Sequence, residues 1–244
     1  FRRAWLEDHQ DTLTDLLHML VNLSVIQFTA EFLAKLGDAV PASVRLFPIE
    51  SPLWLQLLLV AAVLDLSLYV MHRISHRVHW LWRFHMIHHS AERLYWMNGE
   101  RRHPLHAALM AGPGLVVLLI SGAPSAVVAT WFGILTVHLA FQHSNLDYSV
   151  GWLRHVLGVA EVHRWHHKRD FEDAQVNFGE FSTVWDQMFG TFYDSAGKLG
   201  EAEVGLHEKD YPRNYFGQFI DPVHPTSAYP AGHNSSEQDE IRNT

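Results

Sequence analysis

The sequence predicts an all-α, multi-pass membrane protein of about four transmembrane helices, with a helical cap on one side. Two observations carry that prediction. Four apolar stretches, at 12–36, 52–71, 104–121 and 124–141, have helical rather than strand length. The basic residues cluster at alternate ends of those stretches, as they do when a chain threads a bilayer.

Residues 12–36 read as a long helix whose apolar run is broken by Asp15, His18, Asn22, Gln27 and Glu31. Gly37, Pro41, Pro48 and Pro52 then mark a connection. Residues 52–71 are twenty long with one charge. At about 1.5 Å per residue they reach the roughly 30 Å of a hydrocarbon core. The stretches 104–121 and 124–141 carry no Lys, Arg, Asp or Glu and are separated by Gly122 and Ala123, which fits a tight helical hairpin. Gly112-Pro113-Gly114 is expected to kink or break the first arm. A soluble bundle with buried helices is the alternative, and the uncharged hairpin argues against it. Near-zero mean hydropathy is no objection, because most of the chain lies outside these runs.

Arg2 and Arg3 precede the first span. Arg73 to Arg102 follow the second, Arg154 to Arg169 follow the fourth, and the link between the third and fourth has none. Four spans put these groups on one side, which the positive-inside rule assigns to the cytosol. Residues 150–195 mix aromatic and charged residues and read as the cap. From about 222 onward Pro, Ser, Asn, Gly and acidic residues suggest a disordered tail. The expected organisation is therefore one domain over 1–221, then the tail 222–244.

Composition removes several classes of function. With no cysteine, thiolate haem, iron–sulfur clusters, disulfide scaffolds and cysteine zinc sites are excluded. A net charge of -8 without a basic stripe argues against a nucleic-acid partner.

The anomalous number is 19 histidines. His72 and His76 are four apart, so on a helix they share a face. His85, His88 and His89 combine i, i+3 and i, i+4 spacings, and His163, His166 and His167 repeat that pattern. Imidazole is a general ligand for zinc, copper, iron or nickel. Eight rings in three clusters are too many for one tetrahedral ion and about right for two. Asp65, seven residues before His72, lies on the same helical face inside a bilayer-length run. Such a carboxylate is costly unless paired or functional. It is expected either to orient a ligand imidazole or to pair with an arginine near the interface. His138 is a further candidate ligand, five residues before His143 and so offset from its face. Glu92, Glu100 and Glu161 lie beside the clusters as carboxylate candidates, none of them favoured singly. Trp80, Trp82, Tyr95, Trp96 and Trp165 suit either a greasy path to the metals or ordinary interfacial positions.

The series HRISH (72–76), HMIHH (85–89) and HRWHH (163–167) resembles the fatty acid hydroxylase/sterol desaturase superfamily of membrane di-metal enzymes. The likeness extends to NGERRHP (98–104), Gln142-His143-Ser144-Asn145, Asn177-Phe178-Gly179, and Trp185-Asp186 with Phe189-Gly190-Thr191. It covers about 65–195, with the motifs in family order.

That resemblance implies two iron ions held almost wholly by histidine at the cytosolic face. It also implies O2 as co-substrate, and hydroxylation or desaturation of a lipid. On it, His72, His76, His85, His88, His89, His163, His166 and His167 match the core ligands. His143 matches a further one, and His103 a ligand or its support. Asn177 and Asp186 are implied as supporting residues. An unactivated C–H bond yields to no acid, base or nucleophile, so a redox metal is required. Zinc in the same site would instead suit a membrane hydrolase using metal-bound water. A metal-binding protein without catalysis is the remaining alternative. No cytochrome b5-like segment is visible, so electrons are expected from a separate cytochrome b5-, ferredoxin- or reductase-type donor. The membrane is expected to be a bacterial inner membrane or the endoplasmic reticulum.

Overall fold

A computed structural model describes residues 2–37, 40–195, 199–200 and 203–225. From residue 226 onward the expected tail lies outside the described residues. The elements are all helical: α1 (Thr12–Gly37), α2 (Leu53–Ser75), α3 (His79–His89), α4 (Pro104–Ser121), α5 (Ser125–Gln142), α6 (Ala160–His166), α7 (Val184–Phe189) and α8 (Tyr215–Ile220). Among the described residues the only β-type pairings are two isolated bridges, Leu157 with Ser182 and Lys168 with Val204.

Helices α1, α2, α4 and α5 are long and apolar enough to cross a bilayer. Their apolar residues point both inward and outward. Val60, Leu64 and Leu68 of α2 pack at helical spacing against Met110, Leu115 and Leu118 of α4 and Trp131, Leu135 and Leu139 of α5. Outward, Val116, Val117, Ile120, Ile134 and Val137 are exposed. In water that surface would be a large apolar patch; in a bilayer it is the lipid face.

Of the kink or break expected at Gly112-Pro113-Gly114, the break does not occur: α4 stays continuous through Pro113. Ser67 of α2 explains why. Its Oγ accepts from Gly114 N at 2.9 Å and donates to the Met110 carbonyl at 3.2 Å, bridging the backbone groups that the proline separates. A neighbouring hydroxyl is one of the ways a membrane helix accommodates proline. Gly114 permits the approach, because a Cβ there would lie 2.8 Å from Ser67 Cβ. The α4–α5 hairpin turns at Gly122, whose φ of 81° is left-handed.

Asp15, His18 and Asn22 of α1 face inward and fix the segment that follows α3, whereas Gln27 and Glu31 are exposed. Asp15 Oδ1 accepts from Arg101 at 2.6 Å, and its Oδ2 accepts from Tyr95 at 2.7 Å and Asn98 at 3.0 Å. Asn22 Nδ2 donates to the carbonyls of Glu100 and Arg102. His18 bridges Arg102 O and Gln218 of α8. Helix α2 runs four residues past the expected span, which carries His72 beyond the apolar run on rigid helix. Of the cationic residues, Arg45 sits at the opposite end, donating to the carbonyls of Gly37 and Val40.

Candidate metal centre

Nine buried imidazoles converge into two groups. His72, His76, His85, His89 and His166 form one, and His88, His143, His163 and His167 the other. Within each group the ligand nitrogens lie within 4.8 Å of one another. The HxxHH pattern explains the division. Successive helical residues are rotated by about 100°, so i and i+4 project together while i+3 points to the other side. On α3, His85 and His89 enter the first group and His88 the second. At the end of α6 the assignment reverses: His163 and His167 enter the second group and His166 the first. Each motif therefore serves both groups.

The nitrogen spacing fits ions rather than hydrogen bonds. In the second group, the Nε2 atoms of His143, His163 and His167 stand 3.2, 3.2 and 3.1 Å apart, and His88 Nε2 is 3.3 Å from His143. A neutral ring nitrogen either donates or accepts. A triangle of three must then contain one pair in the same role. Metal–nitrogen bonds of about 2.0–2.1 Å to one ion would put such nitrogens roughly 3–3.5 Å apart. In the first group, His89 Nε2 lies 3.1 Å from His76 and 3.2 Å from His85.

Backbone carbonyls fix several tautomers. His72 Nδ1 donates to Phe178 O at 2.8 Å, His166 Nδ1 to Val176 O at 2.8 Å, and His143 Nδ1 to Leu139 O at 2.9 Å. A carbonyl can only accept, so the Nε2 lone pair is free in each ring. His72 Nε2 and His166 Nε2 are buried without a hydrogen-bond partner, which suits a role as metal-ligand atoms. The donor set therefore fits two borderline metal ions such as iron or zinc.

Protonation agrees with this. Burial pushes His85, His88, His89, His163, His166 and His167 well below the ordinary histidine value, and their neighbours add repulsion. His143 is pushed down to about 4 by the same desolvation. These rings are neutral at physiological pH and able to bind metal.

His103 and His138 stand outside both groups. His103 Nδ1 accepts from Leu105 N, capping α4, and its ring stacks on Phe219. His138 Nε2 donates to Gly158 O from a membrane helix. The offset of five residues has turned His138 off the His143 face. His106 is buried between α2 and α4, its Nε2 donating to Ser75 Oγ at 2.8 Å. Trp82 packs on His76 with ring centroids 4.8 Å apart, whereas Trp80 and Trp96 are exposed.

The three non-histidine candidates touch no imidazole through a hydrogen bond; they hold the loop 177–183 that the rings lean on. Asp65 accepts from Phe181 N, Ser182 N and Trp185 Nε1 at 3.0, 3.2 and 2.9 Å. It thus organises backbone, rather than orienting a ring or pairing with an arginine. Asp186 accepts from Phe178 N and Gly179 N, both at 2.8 Å, and from Thr191 Oγ1 at 2.6 Å. Burial raises its pKa against these donors. Asn177, at a φ of 53°, clamps α6 to the following segment through Val162 O, Tyr193 O and Tyr193 N.

Glu180 is the acid the sequence reading missed. Its Oε1 lies 3.5 Å from His72 Nδ1 and its Oε2 accepts from Arg102 Nη2 at 2.6 Å. The available signal was its position as the lone acid between Asp173 and Asp186, directly after Asn177-Phe178-Gly179. Glu92 instead pairs with Arg213, and Glu161 with Ser149 and Arg154. Glu100 is buried next to Arg102; desolvation raises its carboxyl to about 7, with Arg102 opposing and Glu180 reinforcing the rise.

The model of the family described as fatty acid hydroxylase matches residues 57–191, more than half the chain and all nine clustered histidines. The chain belongs to the fatty acid hydroxylase family. Membership makes it an oxidoreductase, and relatives with hydroxylase and monooxygenase names agree. The ornithine lipid hydroxylase OlsE of Rhizobium tropici is 27% identical over 91% of this chain and 69% of its own. The alkylglycerol monooxygenase of Danio rerio is 28% identical over 55% of this chain and 30% of its own. The fatty acid hydroxylase vlmA of a Lecanicillium species is 30% identical over 54% and 40%. The chain thus spans less than half of the latter two relatives. No solved structure matches this fatty acid hydroxylase-family chain.

Proposed function

We propose that the protein is an O2-dependent membrane oxygenase that hydroxylates a lipid at an unactivated C–H bond, using two iron ions. His72, His76, His85, His89 and His166 would hold one ion; His88, His143, His163 and His167 would hold the other. The observation that carries this reading is the pair of buried, neutral, carboxylate-free imidazole groups at the inner end of an apolar cleft. Iron, when bound, supplies the redox chemistry that activates O2 against a C–H bond.

The chain's own residues do the rest. The cleft, of about 250 Å³, lies among α1, α2, α4 and α5 and is lined mainly by apolar side chains such as Ile26, Phe32, Leu115 and Phe132. It suits an acyl or other hydrophobic chain arriving from the bilayer. Leu68 and Leu139 close its inner end, one helical turn before His72 and His143. The inner part of a bound lipid would therefore lie beside both groups, away from bulk water. Phe178 O, Val176 O and Leu139 O keep three rings aimed. Asp65, Asp186 and Asn177 act as positioning residues by holding the loop that supplies the first two of those carbonyls, while Leu139 O belongs to α5.

Electrons would come from a separate donor protein. The basic residues at 73–102 and 154–169 lie at the histidine end and support a cytosolic location for it. The names of the relatives favour lipid oxidation over a di-zinc hydrolase. The test is metal content and O2 uptake of anaerobically purified, dithionite-reduced protein mixed with a total lipid extract. About two irons, O2 consumption and a lipid gaining one oxygen atom are expected. A lipid losing two hydrogens would make it a desaturase. Tightly held zinc with no O2 uptake after iron reconstitution would overturn the oxygenase reading.

A further inference from the structure

The inner end of the cleft is not apolar. Three polar side chains, Asn22, Glu100 and Arg102, line it there. Each has hydrogen-bonding capacity that the protein leaves unused. Asn22 spends its amide N–H groups on the carbonyls of Glu100 and Arg102, and its Oδ1 is buried without a partner. Arg102 donates through Nε to Gly99 O and through Nη2 to Glu180, while Nη1 makes no hydrogen bond to a described residue. The Glu100 carboxyl, only 8% exposed, has neither a hydrogen bond nor an ion pair among the described residues.

Leaving a buried polar atom unpaired, as Asn22 Oδ1 is, costs about 1–3 kcal/mol. A membrane protein that needed only a greasy slot would carry apolar residues here. Three such groups at one end of a lipid-sized cleft are a site whose partner comes with the ligand. The chemistry of that partner follows from the roles. Asn22 Oδ1 and the ionised Glu100 carboxylate offer acceptors, which a donor on the ligand would satisfy. Arg102 Nη1 offers a donor, so the ligand also brings an acceptor. A secondary amide has both, an N–H and a C=O, on adjacent atoms at the head of an acyl chain. An ester has the acceptor alone.

Resting on the oxygenase reading above, we propose that Glu100 is a specificity-determining residue, reading the N–H of an amide-linked acyl lipid whose carbonyl faces Arg102. The chain then runs outward along the cleft, and the amide sets which carbon lies next to the histidine groups. A site built to hydrogen-bond a substrate N–H rejects the analogue lacking it far better than an apolar pocket rejects an extra methylene.

The test is equilibrium binding to the metal-loaded, detergent-purified chain, which reads the site without turnover. The probes are N-methylhexadecanamide, methyl hexadecanoate and N,N-dimethylhexadecanamide, which share one acyl chain. The secondary amide is expected to bind roughly tenfold or more tighter than the ester and the tertiary amide. In Glu100→Leu the three should bind alike. Glu100→Gln keeps an acceptor oxygen and should keep most of the preference, which separates recognition from a folding defect. Metal content measured alongside shows that each variant is intact. Equal binding of the three probes to the wild type, or a preference surviving in Glu100→Leu, would overturn the proposal. Amide-selective binding without any oxidised product would uphold it and count against the oxygenase reading instead.

Discussion

Glu180 and Arg102 form a buried ion pair beside His72, and a double-mutant cycle measures it. Both side chains are buried, at 1% and 6% exposure, with 2.6 Å between Oε2 and Nη2. Removing one partner of such a pair costs about 3–5 kcal/mol, because the other charge is left desolvated. The two singles should not be equal. In Arg102→Leu the orphaned carboxyl can take up a proton, whereas in Glu180→Leu the guanidinium cannot lose one. Glu180→Leu should therefore be the more damaging. At about 2–4 °C per kcal/mol for a chain of this size, its loss corresponds to roughly 6–20 °C in melting temperature. The double variant Glu180→Leu/Arg102→Leu removes both charges and should recover most of that loss. Thermal unfolding of the detergent-purified protein, followed by tryptophan fluorescence, reads all four corners. Additive losses in the double variant would refute the idea that the two residues are held for each other.

The two histidine groups differ in size, so their variants should differ in metal content. His88→Ala cuts the group of four to three and should drop iron towards one per chain, whereas His166→Ala leaves four of five and should retain more; equal losses by elemental analysis would contradict the division. Asp65→Ala would strand Phe181 N, Ser182 N and Trp185 Nε1. At about 1–3 kcal/mol per unpaired buried donor this should lower the melting temperature by several degrees, and an unchanged melting temperature would rule out the anchoring role. Acid should weaken the fold. His143 titrates near 4 when folded against 6.5 when unfolded, so its contribution is complete above pH 6.5 and lost as pH falls towards 4. That gap is worth about 3 kcal/mol, and the other six lowered rings act with the same sign. Melting temperature and metal content should both fall between pH 6.5 and 5; a flat profile would mean that the rings are already charged or are solvated.

The spans and the two histidine groups were legible because both are periodic. Apolar runs of bilayer length and the HxxHH spacing are local patterns, and the helices realise them as written. Assigning each ring to one group also follows from spacing, once it is known that α3 and α6 face each other. The supporting residues are a different matter. Asp65 is on the right helical face, yet its partners are backbone N–H groups more than 110 residues away, which no local pattern encodes. Glu180 sits in an irregular loop, where neither period applies. His103 and His138 lie near motifs but outside both groups, where a helix cap and a helix–loop hydrogen bond engage them instead. Pro113 looked like a break because the hydroxyl that repairs the backbone lies on another helix.

The cleft and the two histidine groups share the same turns of helix, and this ties the shape of the cleft to the geometry of the rings. Leu68 lines the cleft and His72 follows it by one turn of α2; Leu139 lines it and His143 follows by one turn of α5. The Leu139 carbonyl itself receives the His143 Nδ1 proton at 2.9 Å. Gly99 abuts that same carbonyl so closely that a Cβ would lie 2.9 Å from the oxygen. The segment bearing Gly99 also carries Glu100 and Arg102, the polar end of the cleft, and through Arg102 it reaches Glu180 beside His72. A displacement of the 96–100 turn therefore moves the head of the cleft, one ring tautomer and the acid beside another ring together. Packing of this density transmits small shifts instead of absorbing them. The lack of a Cβ at Gly99 is thus set by the same Leu139 carbonyl that fixes the His143 ring.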